Sequence, residues 1–297
     1  YVKGLQLKLT ASRKADYYSQ TVKRRTLQWY DRLGNTIRFQ ANNPNEMSRQ
    51  KNNAYHDTFD AVLTYDLNVN KHTLNVLAGT SYERYRKDEF SGTVKDLISN
   101  DFFSFNYYDN SVITNTGVSD NIETWAMMSY FGRINYNYDS RYYITATMRA
   151  DGSSKFARGN RWGYFPSGSL AWAFARESFI AENASWLSNG KLRFSYGQTG
   201  NNRIGNYDYM AHLITDDDLY KYPWNGQFVP GYVLSSMQNE KLKWETTEQW
   251  NAGLDLGFFD ERIGITMDIY RKTTRDLLLD ASLPFSSGYY SATKNIG

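Results

Sequence analysis

Few residues of this 297-residue sequence have the types and spacing that catalysis or metal binding requires. His56, His72 and His212 are isolated from one another and lack the H-x-x-x-H or H-x-H spacing of zinc ligands. Asp216 to Asp218 form an acidic run, but it lacks the D-x-[DN]-x-[DN]-G pattern of a calcium loop. No phosphate-binding, dinucleotide-binding or nucleophile-elbow motif occurs. We therefore predict no metal, no cofactor and no enzymatic activity.

The polar stretch between residues 200 and 243 has the composition of a binding loop, because it is rich in asparagine and aromatic residues. Sugar rings stack on aromatic faces and sugar hydroxyls bond amide side chains, so this composition suits glycan capture. It equally suits a loop that packs on itself. Loops often carry binding residues, and this one supplies the candidates for binding a substrate or a partner. They are Tyr207, Tyr209, Tyr222, Trp224 and Asn225.

The bulk composition excludes several classes of protein. The 34 basic and 31 acidic residues nearly balance, which gives no reason to expect a nucleic acid partner. The chain has no cysteine, so disulfides and thiolate metal sites are impossible. No run approaches the about 18 apolar residues of a membrane helix. Aromatic residues make up 16% of the chain, and 25 of them are tyrosines, which suit boundaries between wet and apolar regions.

The elements that position these residues are predicted to be β-strands, because apolar and polar residues alternate along much of the chain. In residues 141–151, "RYYITATMRAD", Ile144 and Met148 belong to an apolar set, while Thr145 and Arg149 belong to a polar one. The same period of two recurs in roughly nine or ten segments. Such strands suit a soluble sheet with a buried apolar face. They equally suit a transmembrane barrel whose apolar face meets lipid.

The connections between these segments favour the barrel. Short connections at 68–71, 138–141 and 258–262 alternate with long polar ones at about 12–53, 88–122 and 200–243. In an up-and-down sheet, alternate connections lie at the same end. One end therefore carries tight turns and the other carries long loops, as in outer-membrane barrels. The stretch 176–190 is the exception at the short end and is predicted to contain a helical turn.

Several long stretches resemble the SusC/RagA family of TonB-dependent outer-membrane transporters. They are "KHTLNVLAGTSYE" (71–83), "SYFGRINYNYDSRYYITATMRADGSS" (129–154), "RADGSSKFARGNRWGYFPSGSLAWAFARESFI" (149–180), "GKLRFSYGQTGNNRIGNYDY" (190–209) and "NEKLKWETTEQWNAGLDLGFFDERIGITMDIYRKTTRDLL" (239–278). The resemblance implies an all-β fold, a transmembrane antiparallel up-and-down barrel of 22 strands, of which this chain supplies about ten. It also implies short periplasmic turns and long extracellular loops. On this reading Thr145 and Arg149 face the lumen, and the predicted lipid-facing residues are Ile144, Met148, Leu254, Leu256, Ile265 and Met267.

The same resemblance implies a function and partners. It implies import of oligosaccharides, or of peptides, across the bacterial outer membrane, with a SusD-like surface lipoprotein and with TonB–ExbB–ExbD as energy source. We expect residues 1–297 to be a partial barrel domain, with the signal peptide, TonB box, plug domain and last strands absent. Two alternatives stay open: a surface glycan-binding β-domain without transport, and a membrane-embedded barrel enzyme whose carboxylate pair any two strands could supply.

Overall fold

The structure, a computed structural model, describes residues 2–106, 116–214 and 221–297. Nine long strands form a single sheet in the order β1-β4-β5-β6-β7-β8-β9-β14-β15, so each lies beside the long strand that precedes it in the chain. They are β1 (Leu5–Arg24), β4 (Glu46–Val69), β5 (His72–Lys95), β6 (Thr116–Tyr138), β7 (Tyr142–Ser153), β8 (Trp162–Trp172), β9 (Leu187–Asn201), β14 (Glu245–Phe258) and β15 (Ile263–Arg275). This arrangement confirms the predicted all-β, antiparallel up-and-down fold.

The remaining strands and the helix are short and lie in the connections or after β15. They are β2 (Leu27–Tyr30), β3 (Thr36–Ala41), α1 (Ser178–Ala181), β10 (Leu213–Ile214), β11 (Lys221–Trp224), β12 (Gln227–Pro230), β13 (Val233–Leu234), β16 (Leu277–Ser282) and β17 (Ser291–Ile296). The helix α1 confirms the helical turn predicted within 176–190. Among the described residues no helix has the length and apolarity to cross a membrane.

The chain divides into two compact units. The first comprises Tyr1–Ala11, Thr58–Glu83 and Trp125–Gly297, and the second comprises Ser12–Asp57 and Arg84–Thr124. The first unit has a buried cluster of Phe156, Phe165, Leu242 and Trp244. The second has a smaller one of Met47, Val94 and Leu97.

The strand register turns the alternation seen in the sequence into continuous rows across β6, β7, β8, β9, β14 and β15. Residues that pair across antiparallel strands lie on the same face of the sheet. One row is apolar throughout, formed by Tyr136, Ile144, Leu170, Phe194, Ala252 and Ile269. The next row, on the opposite face, is mostly small and polar, formed by Asn135, Thr145, Ser169, Ser195, Asn251 and Tyr270.

The predicted extent of the long loops is wrong in two places. Much of 12–53 and 88–122 is strand, because β1 continues to Arg24, β4 starts at Glu46, β5 continues to Lys95 and β6 starts at Thr116. These strand segments carry polar residues on both faces, so they have no apolar period of two for a sequence pattern to detect. Backbone pairing to neighbouring strands holds them extended, and Met47 and Val94 add a small buried cluster.

Candidate functional site

The connection between β9 and β14 carries all the predicted binding residues and has structure of its own. At its base, Leu213 and Ile214 of β10 pair with Leu234 and Val233 of β13. Beyond this pair, β11 and β12 form a hairpin over residues 221–230, which we call the aromatic hairpin. Its turn is Asn225–Gly226, with φ of 49° and 75°. Asn-Gly is a preferred pair for a two-residue hairpin turn because both positions need positive φ.

The aromatic hairpin exposes large rings. Tyr222 is 51% exposed, Trp224 is 68% exposed and Phe228 is 73% exposed. Aromatic side chains have few rotatable bonds, so they offer a large contact area at a small cost in conformational entropy. Rings this exposed are available to a ligand or to a protein partner, and the hairpin brings three of the predicted residues together: Tyr222, Trp224 and Asn225.

The other two predicted residues lie in the turn that precedes β10. Tyr209 packs against the buried cluster of the first unit, so its ring is committed to anchoring the connection. Tyr207 is 47% exposed and has a φ of 66°. Its carbonyl oxygen accepts a hydrogen bond from the backbone N–H of Met210 at 2.8 Å and lies 3.2 Å from Nε2 of His212. Asp216 to Asp218 lie outside the described residues.

The sequence analysis missed the buried cluster that anchors this connection. The indole of Trp244 lies 5.4 Å from the ring of Phe156 and 5.5 Å from that of Phe165, measured between centroids. Its Nε1–H donates to the carbonyl of Arg161 at 2.8 Å. A Cβ on Gly200 would clash with the ring of Phe165. The sequence carried one sign of this cluster, an aromatic residue at a polar-face position of β8: Phe165 pairs with Arg149 and so shares its face.

A proline explains why this cluster has room to form. The hydrogen-bonded ladder between β8 and β9 runs from Trp172 to Ser167 and ends there. The next residue, Pro166, has no N–H with which to continue the ladder. β9 continues to Asn201, and the side chains of the cluster pack where the pairing of β8 with β9 has ended.

A cleft of about 500 Å³ beside the cluster was also missed. Residues from the turn before β10 and from the β16–β17 hairpin line it. They include Arg203, Asp208, His212, Leu278 and Asp280. The cleft brings together charges of both signs and an apolar wall from segments that are far apart in the sequence. Within the described ranges, no group of three or more His, Asp or Glu side chains is placed to hold a metal ion.

Two arginines on the polar face of the sheet pair with carboxylates. Arg193 makes a bidentate pair with Asp255, at 2.7 and 2.9 Å, and also contacts Asp268 at 3.2 Å. Arg149 donates to Asp151 at 2.8 Å. Paired in this way, charged side chains are compatible with the half-buried positions they occupy.

The residues predicted to face lipid all lie on the apolar face. Leu254 pairs with Met267 and Leu256 pairs with Ile265, so these four share a face. Ile144 and Met148 are exposed, at 45% and 46%. The polar Thr145 and Thr147 between them are half-buried. The apolar face is therefore the more accessible of the two on β7, the reverse of a soluble sheet that covers a core.

Tight turns at Asn70–Lys71, 139–141 and 259–262 mark one end of the sheet, which we call the turn end. There Glu177, buried in the connection between β8 and β9, accepts hydrogen bonds from Tyr142 at 2.6 Å, from Trp172 at 3.0 Å and from Arg141 at 2.8 Å. The hydrogen bond from Tyr142, followed by that from Trp172 and the charge of Arg141, lowers the pKa of the Glu177 carboxyl below its ordinary value. Glu177 thus ties two connections of the turn end together.

This network predicts an acid-dependent contribution to stability. Because the pKa of Glu177 is lower in the folded than in the unfolded chain, its contribution is complete above about pH 4.3 and is lost as the pH falls through the folded value. Glu177→Gln should lower the urea midpoint of the folded receptor at pH 7, and this difference should shrink as the pH falls below about 4. Glu182→Gln, at an exposed position nearby, is the matched control. A difference independent of pH would contradict the assignment.

Comparison with known proteins defines the class of this chain. Residues 3–297 match the family described as "TonB dependent receptor-like, beta-barrel". A TonB-dependent receptor of Formosa agariphila, P3, is 37% identical over 235 residues, covering 79% of this chain and 23% of that protein. The SusC receptor of Bacteroides thetaiotaomicron is 41% identical over 175 residues, covering 58% of this chain and 17% of that protein.

Among solved structures, the RagAB peptide importer in its closed-closed state superposes with a TM-score of 0.84 and 28% identity, covering 100% of this chain and 31% of that chain. The sheet and these matches define the chain as part of the wall of an outer-membrane β-barrel. It belongs to the TonB-dependent receptor β-barrel family, which confirms the resemblance drawn from sequence and the outer-membrane location. The chain spans about a quarter of the length of the first curated relatives that it matches.

Proposed function

We propose that this chain forms part of the barrel of a TonB-dependent importer that brings oligosaccharides across the outer membrane, working with a SusD-like surface lipoprotein. The observation that carries the proposal is the aromatic hairpin, which presents Tyr222 and Trp224 at the end of the sheet opposite the tight turns. Similarity to the SusC receptor supports it. The uncharged polar rows of the sheet offer hydroxyl and amide groups to a passing solute.

The apolar face meets lipid and the polar face lines the lumen in this proposal. Two features support that orientation: the exposure of the apolar rows and the pairing of charges on the polar face. A depression of about 410 Å³ on the polar face is lined by the hydroxyls of Thr145, Ser167, Ser169, Ser195 and Thr247, among others. Short hydroxyl side chains present rotatable donors and acceptors, which suit a polar solute that moves past them.

The aromatic hairpin and the surface around it capture substrate or hold the lipoprotein. Stacking on two exposed rings contributes about 0.5–1.5 kcal/mol each. Double substitution of Tyr222 and Trp224 by alanine should therefore weaken substrate or lipoprotein binding by about 5- to 150-fold. Surface abundance should stay normal, because β11 and β12 form a two-stranded sheet separate from the nine-stranded sheet.

The measurement compares receptor abundance at the cell surface with lipoprotein co-purification and with growth on oligosaccharides as the nutrient. The matched control replaces both residues by phenylalanine, which keeps the rings and should keep most of the binding. Normal abundance with unchanged import and partner binding in the alanine variant would remove the capture role from the hairpin. If the substrate binds but energy depletion leaves its uptake unchanged, a binding domain without transport replaces the importer.

A peptide is the second candidate substrate. The similarity over the whole chain to the RagAB peptide importer favours it, as does the cleft that places Arg203 and His212 near Asp208 and Asp280. Such a cleft can bind ammonium and carboxylate groups of one ligand. Growth of cells carrying the unaltered receptor on peptides but not on oligosaccharides would support a peptide substrate. The double substitution Arg203→Gln and Asp280→Asn should then abolish that growth.

A further inference from the structure

The second compact unit carries an uneven distribution of charge between its two faces. Successive residues of a strand point to opposite faces, so alternate positions define each face. In β1, β4, β5 and β6 within this unit, one set of alternate positions holds six basic and three acidic side chains. The other set holds four of each. We call the first set the basic face, and its basic members are Arg13, Lys23, Arg49, Lys51, Arg84 and Arg86.

Three of these arginines converge on one recess of the basic face. Arg13, Arg84 and Arg86 line a recess of about 250 Å³ together with Tyr55 and Asp57. Arg13 holds Asp57 in a bidentate pair, at 2.5 and 2.9 Å. The recess is therefore lined by three guanidinium groups and one carboxylate, and the guanidinium of Arg86 also pairs with Asp88 at 3.0 Å. Guanidinium groups bind phosphate oxygens through parallel N–H donors, and a set of three in one recess suits such an anion.

The position of these arginines along their strands points to the source of the anion. At two-residue steps along β4, Asp57 and Tyr55 follow the apolar series of Leu63, Ala61 and Phe59. Along β1, Arg13 likewise follows Leu9 and Ala11. Arg13 on β1, Asp57 on β4 and Arg84 on β5 are thus the first charged residues past the series that meets lipid in the proposed function, on which this step rests. That is the depth at which lipid headgroups and interfacial tyrosines lie.

We propose that the recess formed by Arg13, Arg84 and Arg86 binds the phosphate of a glycolipid headgroup in the leaflet around the barrel. The ring of Tyr55 lies below the guanidinium of Arg13, 5.9 Å from its Cζ, and keeps that side chain over the recess. Tyr17 contacts Tyr55 edge-on, with 6.0 Å between centroids, and extends the aromatic floor. The bound lipid holds the outer surface of the receptor in the leaflet by a specific contact in addition to apolar burial.

The test measures binding of lipid A carrying one phosphate to the receptor purified in detergent, with dephosphorylated lipid A and inorganic phosphate as further probes. Substitution of Arg84 and Arg86 by glutamine should weaken binding of phosphorylated lipid A at least tenfold. The control replaces Lys14 and Lys87 by glutamine, which removes the same charge from the other face and should leave binding unchanged. Heat-modifiable migration on a gel shows whether each variant is folded.

Replacement of Arg84 and Arg86 by lysine keeps the charge and removes the paired donors, so lipid binding should fall to an intermediate value. This variant also provides the test if the glutamine variant does not fold. Equal binding of dephosphorylated lipid A, or equal loss in both glutamine variants, overturns the proposal. Inorganic phosphate that binds as tightly as lipid A identifies a site for free anions and also overturns it. Lipid binding that is unchanged in the Arg84 and Arg86 variants, with normal import, refutes this site and leaves the importer standing. Lipid binding that is lost in those variants, with substrate uptake that does not depend on energy, supports this site and refutes the importer.

Discussion

Met148→Arg is expected to lower the free energy of unfolding from a bilayer by about 2–4 kcal/mol, which is the cost of placing a guanidinium near the middle of the lipid-facing surface of a barrel. Met148 is exposed on the apolar face, six residues from the turn-end row formed by Tyr138, Tyr142 and Trp172. Those amphipathic rings suit a membrane interface. Ile144 is only two residues from that row, so Ile144→Arg should cost less than Met148→Arg.

The matched control is Thr145→Arg, on the opposite face of the same strand. Thr145 donates to Asn135 at 3.0 Å and stands in a row of small polar residues. An arginine there enters the wet interior, and the expected cost is about 1 kcal/mol for the lost hydrogen bond. Urea unfolding of the three receptor variants in lipid vesicles measures the loss of stability at Met148, Ile144 and Thr145 and so ranks the three costs. A cost at Thr145 that equals or exceeds the cost at Met148 would reverse the inside–outside assignment.

The sequence predicted the alternating apolar and polar rows well, because a period of two fixes which residues share a face of a strand. A shift of one residue in register would send every side chain of a strand to the other face. The pairing of Ile144 with Leu170, and of Leu170 with Phe194, follows from three separate alternating segments. Each segment alone is a weak signal, but a common register makes them one surface.

The candidate binding region was harder to predict, for a physical reason. Contacts such as that between Trp244 and Phe156 join residues far apart in the chain, and no local period encodes them. The sequence pointed to Tyr209 by its residue type, yet its ring packs on this cluster. Asn225 was likewise selected for its amide, and the structure shows a further reason for its presence, the positive φ that the hairpin turn requires. The candidates Tyr222 and Trp224 remain predictions that the hairpin geometry makes testable.

Trp244→Ala is expected to be the most disruptive change within the candidate site. Trp244 is almost fully buried between Phe156 and Phe165, and truncation of a buried tryptophan to alanine costs about 3–5 kcal/mol. The loss falls on the connection between β9 and β14, because Leu242, Ile204 and Tyr209 in that connection pack in or against the same cluster. The ladders that join β9, β14 and β15 do not pass through the indole and should survive.

Trp244→Phe separates packing from hydrogen bonding. It keeps an aromatic ring in the cluster and removes only the Nε1–H bond to the carbonyl of Arg161, with an expected cost of about 1 kcal/mol. Limited proteolysis of the folded receptor should therefore cut within residues 202–243 much faster in Trp244→Ala than in Trp244→Phe or the unaltered chain. Heat-modifiable migration should persist in all three. Loss of the folded barrel in Trp244→Ala would show that the cluster stabilises the wall itself, and unchanged proteolysis would show that the aromatic hairpin does not depend on this anchor.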